Sequence, residues 1–328
     1  MGMIHIELKN GNAFSEPADV LVLKYAQALY GVDAAAVEVL RHAGRTISLP
    51  KPWGFRLIDS VPAISASRVL FVGVPTILEF GYREIRSFAR KALAALAGEA
   101  PETKHILITV HGPGYGLDEI EAFEAEIAGL VDAVRENDCP EALQRITIIE
   151  RNTGRARRLT EVLDGLIPDR MISRLGTLSS SLVPPSNVNV SERLRSAGYA
   201  SDAKGHVFVA MPFREEMDDI YHYGIQSAVK AAGYLCERAD LSSFAGDILE
   251  WVRSRIESAS LVVADLTDAN PNVYLEVGYA WGVGVPTVLL AKSPDHLKFD
   301  VRGQRCLVYK KIKELEDSLT AELRALKR

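Results

Sequence analysis

Short apolar runs rich in Val and Ile recur along the chain and alternate with longer segments of helical periodicity. This alternation constrains the fold more than any other feature, because parallel strands need a crossover connection that is usually a helix. It predicts βαβ units and largely parallel sheets. A length of 328 residues is enough for two domains that each bury a core. We therefore predict an α/β protein with two domains.

The first half, residues 1–150, is predicted to form a domain with a mixed α/β sheet. Its predicted strands are Ile4–Leu8, Val20–Lys24, Arg68–Gly73, His105–Val110 and Ile146–Glu150. Its predicted helices are Asp33–His42, Tyr82–Leu96 and Leu117–Arg135. Residues 151–205 are less regular and include the run SSSLVPPSNVNVSE, a composition that is typical of loops. We expect a linker with a helical part there.

The second half, residues 206–328, repeats the strand–helix alternation with great regularity. Its predicted strands are His206–Met211, Tyr234–Arg238, Leu261–Asp265, Thr287–Ala291 and Cys306–Tyr309. Its predicted helices are Glu216–Ala232, Asp247–Ser258, Asn272–Gly282 and Ile312–Leu326. Five strands with intervening helices predict a flavodoxin-like, five-stranded parallel sheet. In such sheets ligands bind beyond the carboxyl ends of the strands.

Composition excludes several classes of protein. A net charge of −5 does not favour nonspecific binding to nucleic acid or to an anionic membrane. The three cysteines, Cys139, Cys236 and Cys306, are too far apart in sequence for a disulfide framework or a metal cluster. No apolar stretch reaches the roughly 20 residues of a membrane span. We expect a cytoplasmic protein without metal, cofactor, membrane or nucleic-acid partner.

The segment from 261 to 291 carries most of the chemical information. Asn270 and Pro271 form a strong helix start, with Asn as the N-cap and Pro at the first helical position. The helical spacing predicts that one apolar stripe packs against the sheet. That stripe consists of Val273, Val277, Ala280 and Trp281.

A polar face lies beside this stripe, formed by Asn272, Glu276 and Tyr279. Asp265 ends the preceding strand, so we expect its carboxylate and that of Glu276 to converge at one sheet edge. Two carboxyl groups suit cleavage of an N-glycosidic bond, because the transition state at the anomeric carbon resembles an oxocarbenium ion. The alternative is that Glu276 is a surface residue and Asp265 a turn former.

The runs VFVAMPF, DI, ADLTDANPNVYLEVGYA and KFD resemble the nucleoside 2-deoxyribosyltransferase-like proteins, which are close in fold to Toll/interleukin-1 receptor (TIR) domains. The resemblance covers about Gly205 to Lys310, and its most specific part is the E-x-G-x-A signature that begins at Glu276. It implies that Glu276 is the nucleophile and that Asp265 contacts the sugar or base. It also implies a homo-oligomer, since TIR-like sites are often completed by a second subunit.

Other loops at the carboxyl ends of the predicted strands supply further candidates. Phe213 can stack on a base, and Arg214 can pair with a phosphate near a helix N-terminus. Asp247 corresponds to the DI position of the resemblance, with a helix-start role as its alternative. The candidate substrate-binding residues are Met211, Pro212, Phe213, Arg214, Arg238, Asp247 and Asn272.

A glycine-rich loop follows the strand that ends at Val110, and it supplies the candidate ligand residues of the first half. These are His111, Gly112, Gly114 and Gly116. Glycines there let a backbone approach a phosphate closely, although a tight turn without ligand is the alternative. The run HGPGYGLDEIEAF is similar to macro-like domains and to the N-terminal domain of leucyl aminopeptidases. That resemblance implies an ADP-ribose-like or other nucleotide ligand.

The leading hypothesis is an N-glycosidic bond hydrolase or transferase regulated by a nucleotide-binding first domain. Such layouts resemble bacterial antiphage effectors in which a sensor is fused to a TIR-like domain. The alternatives are a non-catalytic nucleotide-binding sensor and an oligomerising scaffold. The sequence leaves open whether the substrate is NAD, a nucleoside or a deoxynucleotide, and whether the reaction is hydrolysis or transfer.

Overall fold

The computed structural model describes residues 2–174, 192–238 and 248–327, which form two compact α/β units. One unit is built on a seven-stranded mixed sheet and the other on a five-stranded parallel sheet, so the predicted fold class is confirmed. The first unit comprises Met1–Pro113 and Glu119–Asp202, and the second comprises Gly114–Asp118 and Ala203–Arg328.

In the described residues of the first unit, seven strands alternate with four longer helices and two short helical segments, residues 192–196 and Tyr199–Asp202. The strands are β1 (Met3–Asn10), β2 (Val20–Tyr25), β3 (Phe55–Asp59), β4 (Arg68–Gly73), β5 (His105–Thr109), β6 (Arg145–Glu150) and β7 (Met171–Ser173). The helices are α1 (Gly31–His42), α2 (Tyr82–Glu99), α3 (Glu119–Arg135), α4 (Thr153–Leu166) and α5 (Tyr199–Asp202).

The strands of this sheet lie in the order β3-β4-β2-β5-β6-β1-β7. The five inner strands are parallel, and the two edge strands, β3 and β7, each pair antiparallel with their neighbour. The sequence reading identified the five inner strands and missed both edges. An edge strand such as β3 has no residue buried on either face, so it lacks the continuous apolar run that marks the inner strands.

The first unit continues past residue 150, where the sequence reading ends its first domain. Helix α4 follows Asn152, whose side chain caps the helix by accepting from Arg155 N at 2.8 Å. Strand β7 then joins the sheet beside β1. The Ser-, Pro- and Asn-rich run lies outside the described residues except for its final Glu192.

The second unit repeats the strand–helix alternation around its own sheet. Its strands are β8 (His206–Ala210), β9 (Leu235–Glu237), β10 (Leu261–Asp265), β11 (Thr287–Ala291) and β12 (Cys306–Val308). Its helices are α6 (Ser227–Ala231), α7 (Ile248–Ser258), α8 (Pro271–Gly282) and α9 (Ile312–Leu326). The order β12-β11-β10-β8-β9 with every pair parallel is that of the predicted flavodoxin-like sheet.

Two helices of the second unit differ from their predictions. The helix predicted at Glu216–Ala232 is irregular, since a π-helical segment at Ile220–Gln226 precedes α6. Helix α8 begins at Pro271 with Asn270 as its N-cap, as predicted. The Asn270 side chain accepts from Asn272 N at 2.9 Å. Trp281, however, is 40% exposed instead of packing against the sheet. It lies about 80° around the helix from Val273, at the margin of the buried stripe.

A buried arginine joins helices α2 and α3 to the segment at 192–197, which directly precedes α5. Arg86 of α2 is 5% exposed, and its Nε donates to Asp132 Oδ2 of α3 at 2.8 Å. Its Nη1 donates to the carbonyl oxygens of Leu194 and Ala197 at 3.1 and 2.6 Å. The carbonyl ends of the short helix at 192–196 are thereby satisfied by a side chain from another helix.

Removing this side chain is expected to destabilise the first unit. Replacement Arg86→Met leaves Asp132 and two buried carbonyls without their donor, at a cost of about 3 kcal/mol in the free energy of unfolding. The matched control is Arg83→Met on the same helix, because Arg83 is 56% exposed and pairs with Asp202 at the surface. That change is expected to cost less than about 1 kcal/mol. Urea unfolding measures both, and equal effects contradict the prediction.

Candidate functional site

A cavity lies between helices α7 and α8 of the second unit, with a volume of about 160 Å³. Half of its lining residues are aliphatic, and one carboxyl group, that of Glu276, belongs to it. The lining residues are Leu249, Val252, Arg253 and Ile256 from α7, with Asn272, Leu275, Glu276 and Tyr279 from α8. The polar face that the sequence predicts on α8, at 272, 276 and 279, therefore faces this cavity.

The pKa of Glu276 is raised from 4.5 to about 7, and burial of the carboxyl group is the cause. No charged group of the described residues contributes to the shift. Burial disfavours the ionised form because the cavity wall cannot replace the hydration of a carboxylate. The structure thus contains a half-buried carboxyl group that gains and loses its proton near neutral pH, a property of acid–base and nucleophilic groups at functional sites.

One side of the cavity is closed by contacts that join α7 to α8. The Tyr279 hydroxyl donates to Glu257 Oε1, and the Arg253 guanidinium lies 5.6 Å from the centre of the Tyr279 ring. Arg253 is thus engaged with the aromatic ring while its side chain lines the cavity. The sequence reading missed the α7 wall, although its apolar residues Leu249, Val252 and Ile256 follow helical spacing.

Asp265 does not lie where the sequence reading expects it. Its side chain is fully buried, with Oδ1 accepting from Thr267 N at 2.9 Å and Oδ2 accepting from the Tyr309 hydroxyl at 2.6 Å. Burial raises its pKa, against the opposing effect of these two hydrogen bonds. Asp265 is not among the residues that line the Glu276 cavity. The structure therefore does not bring the two carboxyl groups together in one cavity, contrary to the prediction from the sequence.

The reason is the alternation of side chains along β10. Asp265 shares a strand face with Leu261 and Val263, which pack in one core cluster with Tyr309. Helix α8 buries Val273, Val277 and Ala280, and none of these three belongs to that cluster. The helix that carries Glu276 therefore packs on the other strand face.

A second group of candidates does come together, beyond the carboxyl ends of β8 and β9. The Arg238 guanidinium lies 4.9 Å from the Phe213 ring centre and 3.8 Å from that of Tyr221. Asp218 contributes a carboxylate oxygen at 3.7 Å from Nη2. Arg214 pairs with Asp268 at 3.1 Å, linking the loops after β8 and β10.

The sequence analysis does not predict three members of this group, Asp218, Tyr221 and Asp268. Tyr221 occupies the π-helical segment, whose register differs from the α-helical spacing that was assumed. Met211 and Pro212 are buried, so neither offers an exposed side chain for the predicted contact with substrate. Asn272 lines the cavity with Glu276. Asp247 lies outside the described residues.

In the glycine-rich loop, His111 is buried and held on several sides. Its backbone N donates to Glu126 Oε2 at 3.1 Å, and its Nδ1 lies 3.1 Å from Glu126 Oε1. Its ring packs against Phe88 with centroids 4.4 Å apart. These contacts make His111 a hydrogen-bonded structural residue of the first unit. Gly112 follows with a φ of +101°, which favours glycine at that position.

The remaining two glycines of this loop, Gly114 and Gly116, belong to the second unit. Gly116 has a φ of +87°, and its carbonyl oxygen accepts from Arg238 N at 3.0 Å. At Gly114 an added Cβ atom meets no atom of the described residues within 4 Å. The four loop residues named from the sequence are therefore divided between the two units.

The described residues contain neither a candidate metal site nor a candidate membrane-spanning helix. In the three described stretches, no group of three His, Cys, Asp or Glu side chains is arranged to hold a metal ion. Every helix in that part of the chain is too short or too polar to cross a membrane.

The sequence matches no protein-family model and no curated protein. Among solved structures, a Trypanosoma brucei macrodomain in complex with ADP is similar at 19% identity and a TM-score of 0.39, over 48% of this chain and 69% of that one. An Oceanobacillus iheyensis macrodomain with MES bound is similar at 15% identity and a TM-score of 0.35, over 50% and 92%. Leucyl aminopeptidase from Leishmania major is similar at 11% identity and a TM-score of 0.32, over 88% and 72%.

These comparisons give a weak resemblance of the N-terminal half to macrodomains. They give no support to the resemblance of the C-terminal half to nucleoside 2-deoxyribosyltransferase-like or TIR-like proteins. At this level of similarity they carry no argument about function, so the function has to be argued from the geometry of the sites.

The burial of Glu276 is expected to cost stability in a pH-dependent way. Because its folded pKa is above the unfolded value, the folded second unit binds more protons than the unfolded chain between pH 4.5 and about 7. Its free energy of unfolding therefore falls as pH rises through that window. Glu276→Gln removes this loss, so the variant is expected to be more stable than the natural protein by about 3 kcal/mol at pH 8 and equal to it at pH 4.

Urea unfolding at several pH values measures this difference. The matched control is Glu250→Gln, because Glu250 is an exposed glutamate on α7. That variant is expected to follow the natural protein within about 0.5 kcal/mol at each pH. A Glu276→Gln protein whose stability parallels the natural protein from pH 4 to pH 8 contradicts the raised pKa.

Proposed function

We propose that the second unit cleaves an N-glycosidic bond of a nucleoside, a nucleotide or NAD, with Glu276 as the nucleophile. The observation that carries the proposal is the half-buried carboxyl group of Glu276 in a cavity whose other lining residues include four aliphatic side chains, with a pKa that burial raises to about 7. A carboxylate that has lost its hydration is a stronger nucleophile and a stronger stabiliser of a nearby cation than one in water.

The proposed reaction has two steps. Glu276 Oε attacks the anomeric carbon, the bond from that carbon to the base nitrogen breaks, and the bonding electron pair leaves with the base. The base then takes a proton from solvent or stays unprotonated, according to its own pKa. In the second step water, or a second base, attacks the glycosyl ester and restores the Glu276 carboxylate. Water yields hydrolysis, and a second base yields transfer.

The other candidates take supporting roles in this proposal. Asn272 and Tyr279 line the same cavity and offer polar groups to a sugar hydroxyl. Phe213, Arg214 and Arg238 are proposed to bind the remainder of the substrate through stacking and charge. Asp265 is proposed to act as a positioning residue, because its hydrogen bonds to Thr267 N and Tyr309 hold the loop that precedes α8.

Activity is expected to depend on the ionised form of Glu276. The protein is incubated with NAD, nucleosides and deoxynucleotides, and released base is separated by chromatography. Glu276→Gln is expected to lower the rate at least about 100-fold, while Glu250→Gln leaves it unchanged. Because only the carboxylate attacks, the rate is expected to rise with pH and level off above the Glu276 pKa of about 7. Activity that survives Glu276→Gln removes the mechanism.

A second function, a nucleotide sensor, is favoured by the topology of the first unit. Strands β2 and β5 are parallel neighbours, and the connections that follow them leave toward opposite edges of the sheet. In doubly wound sheets, ligands bind in the crevice beyond such a pair. The loop after β5 supplies Gly112, whose backbone conformation suits a close approach to phosphate. We propose that this domain binds a nucleotide signal and regulates the second unit, as in an antiphage effector.

Calorimetric titration with ADP-ribose and ADP tests the sensor function. Gly112→Ala strains a backbone with a φ of +101°, so it is expected to weaken binding about tenfold. The matched control is Gly98→Ala in α2, where an added methyl group meets no atom within 4 Å and affinity is expected to stay unchanged. Absence of binding by the natural protein contradicts this function and leaves the proposal for Glu276 untouched.

A further inference from the structure

The segment Gly114–Asp118 belongs to the second unit although both of its flanks in the chain belong to the first. It pairs with β9, which is an edge strand. Arg238 N donates to Gly116 O at 3.0 Å, and Cys236 N donates to Asp118 Oδ2 at 3.3 Å. The segment thereby satisfies backbone groups that an edge strand otherwise leaves open.

A buried acid anchors this segment. The Asp118 side chain is fully buried, and its Oδ1 lies 3.2 Å from Lys230 Nζ. Separating such a pair leaves a buried charge without compensation, so the segment has one strongly preferred position on β9. Gly116 lies two residues before this anchor and is held there by its bond to Arg238.

Gly116 also contacts helix α7. A Cβ atom placed at Gly116 overlaps Trp251 Cη2 and lies 3.2 Å from the carbonyl oxygen of Arg238. The indole ring of Trp251, which is 3% exposed, therefore lies directly against the backbone at Gly116. The next two residues of α7, Val252 and Arg253, line the Glu276 cavity.

This packing changes the interpretation of the glycine-rich loop. At Gly116 the space that a phosphate would need is filled by Trp251 and by the Arg238 carbonyl group. The absence of a side chain at 116 is explained by contact with α7, whereas at Gly114 no atom of the described residues requires it. The two glycines of one loop therefore have different reasons for being glycine.

We propose that Gly116 is a positioning residue for the Glu276 cavity: its backbone seats Trp251 and thereby sets the distance of α7 from α8, and with it the degree to which the cavity wall shields Glu276 from water. The inference rests on the proposed function only in taking this cavity as the ligand site.

The test compares Gly116→Ala with Gly114→Ala in the full chain. A methyl group at 116 displaces Trp251, so water is expected to reach Glu276 and its ionisation midpoint is expected to fall by about one pH unit or more. Carbon NMR of the labelled Glu276 carboxyl group measures the midpoint, and the Trp251 indole N–H resonance reports the movement of the ring. Gly114→Ala is expected to change neither signal. A folded Gly116→Ala protein with the natural midpoint overturns the proposal.

If Gly116→Ala does not fold, the variant Trp251→Phe tests the same proposal. This change shortens the ring that rests on residue 116 and leaves the bonds of Gly116 and Asp118 to β9 intact, so the same fall in the midpoint is expected and its absence overturns the proposal. The measurement needs no substrate and is therefore separate from the proposed activity. If the Glu276 midpoint falls in the variants but the natural protein releases no base, the positioning role is supported and the glycosidase is contradicted. If the natural protein releases base but the midpoint stays unchanged in the variants, the glycosidase is supported and the positioning role is contradicted.

Discussion

The central strands of both sheets are buried on both faces, and the position of the polar side chains follows from this constraint. Every residue of β8 and of β10 is buried, so helices must cover each face of the second sheet. A side chain at the end of such a strand is assigned to one face by the two-residue repeat. Asp265 follows Leu261 and Val263 onto the face that Tyr309 completes. Glu276 is carried by a helix on the other face.

The cavity of Glu276 illustrates how a fold retains an unfavourable group. Its walls come from two amphipathic helices whose aliphatic residues would be more stable around another aliphatic side chain. The carboxyl group is kept instead, with a raised pKa and with no charged group in the described part of the chain that offsets the burial. Stability lost at one position is common where a side chain serves chemistry. This cost is the physical basis for proposing a function for the cavity.

In the first unit, helix α3 organises the part of the chain beyond residue 150. Glu119 accepts from Arg158 Nε and Nη2 at 2.6 and 3.0 Å, which holds α4. Glu124 accepts from Arg193 Nε at 2.9 Å, which holds the short helix at 192–196. Both glutamates are buried, and both are partners of arginines. Their pairing extends the first unit past the boundary that composition indicates.

Much of the architecture is local in origin and was therefore predictable. Inner strands carry continuous apolar runs, and the start of α8 at Pro271 is determined by its Asn270 cap. The shared face of Asn272, Glu276 and Tyr279 follows from 3.6 residues per turn. For these features the residues that decide the outcome are neighbours in sequence, so the sequence alone contains the answer.

Other features depend on residues that are distant in sequence, and only the tertiary structure decided them. The edge strands β3 and β7 exist because a neighbouring strand offers hydrogen bonds, and their own pattern is weak. The place of Arg238 between two aromatic rings depends on a π-helical register that spacing rules do not anticipate. Gly116 is glycine because Trp251 packs on it. The sequence by itself determined the inner strands, most of the longer helices and the face of Glu276. Long-range packing decided which side chains share a site, since it brings together segments that carry no local record of each other.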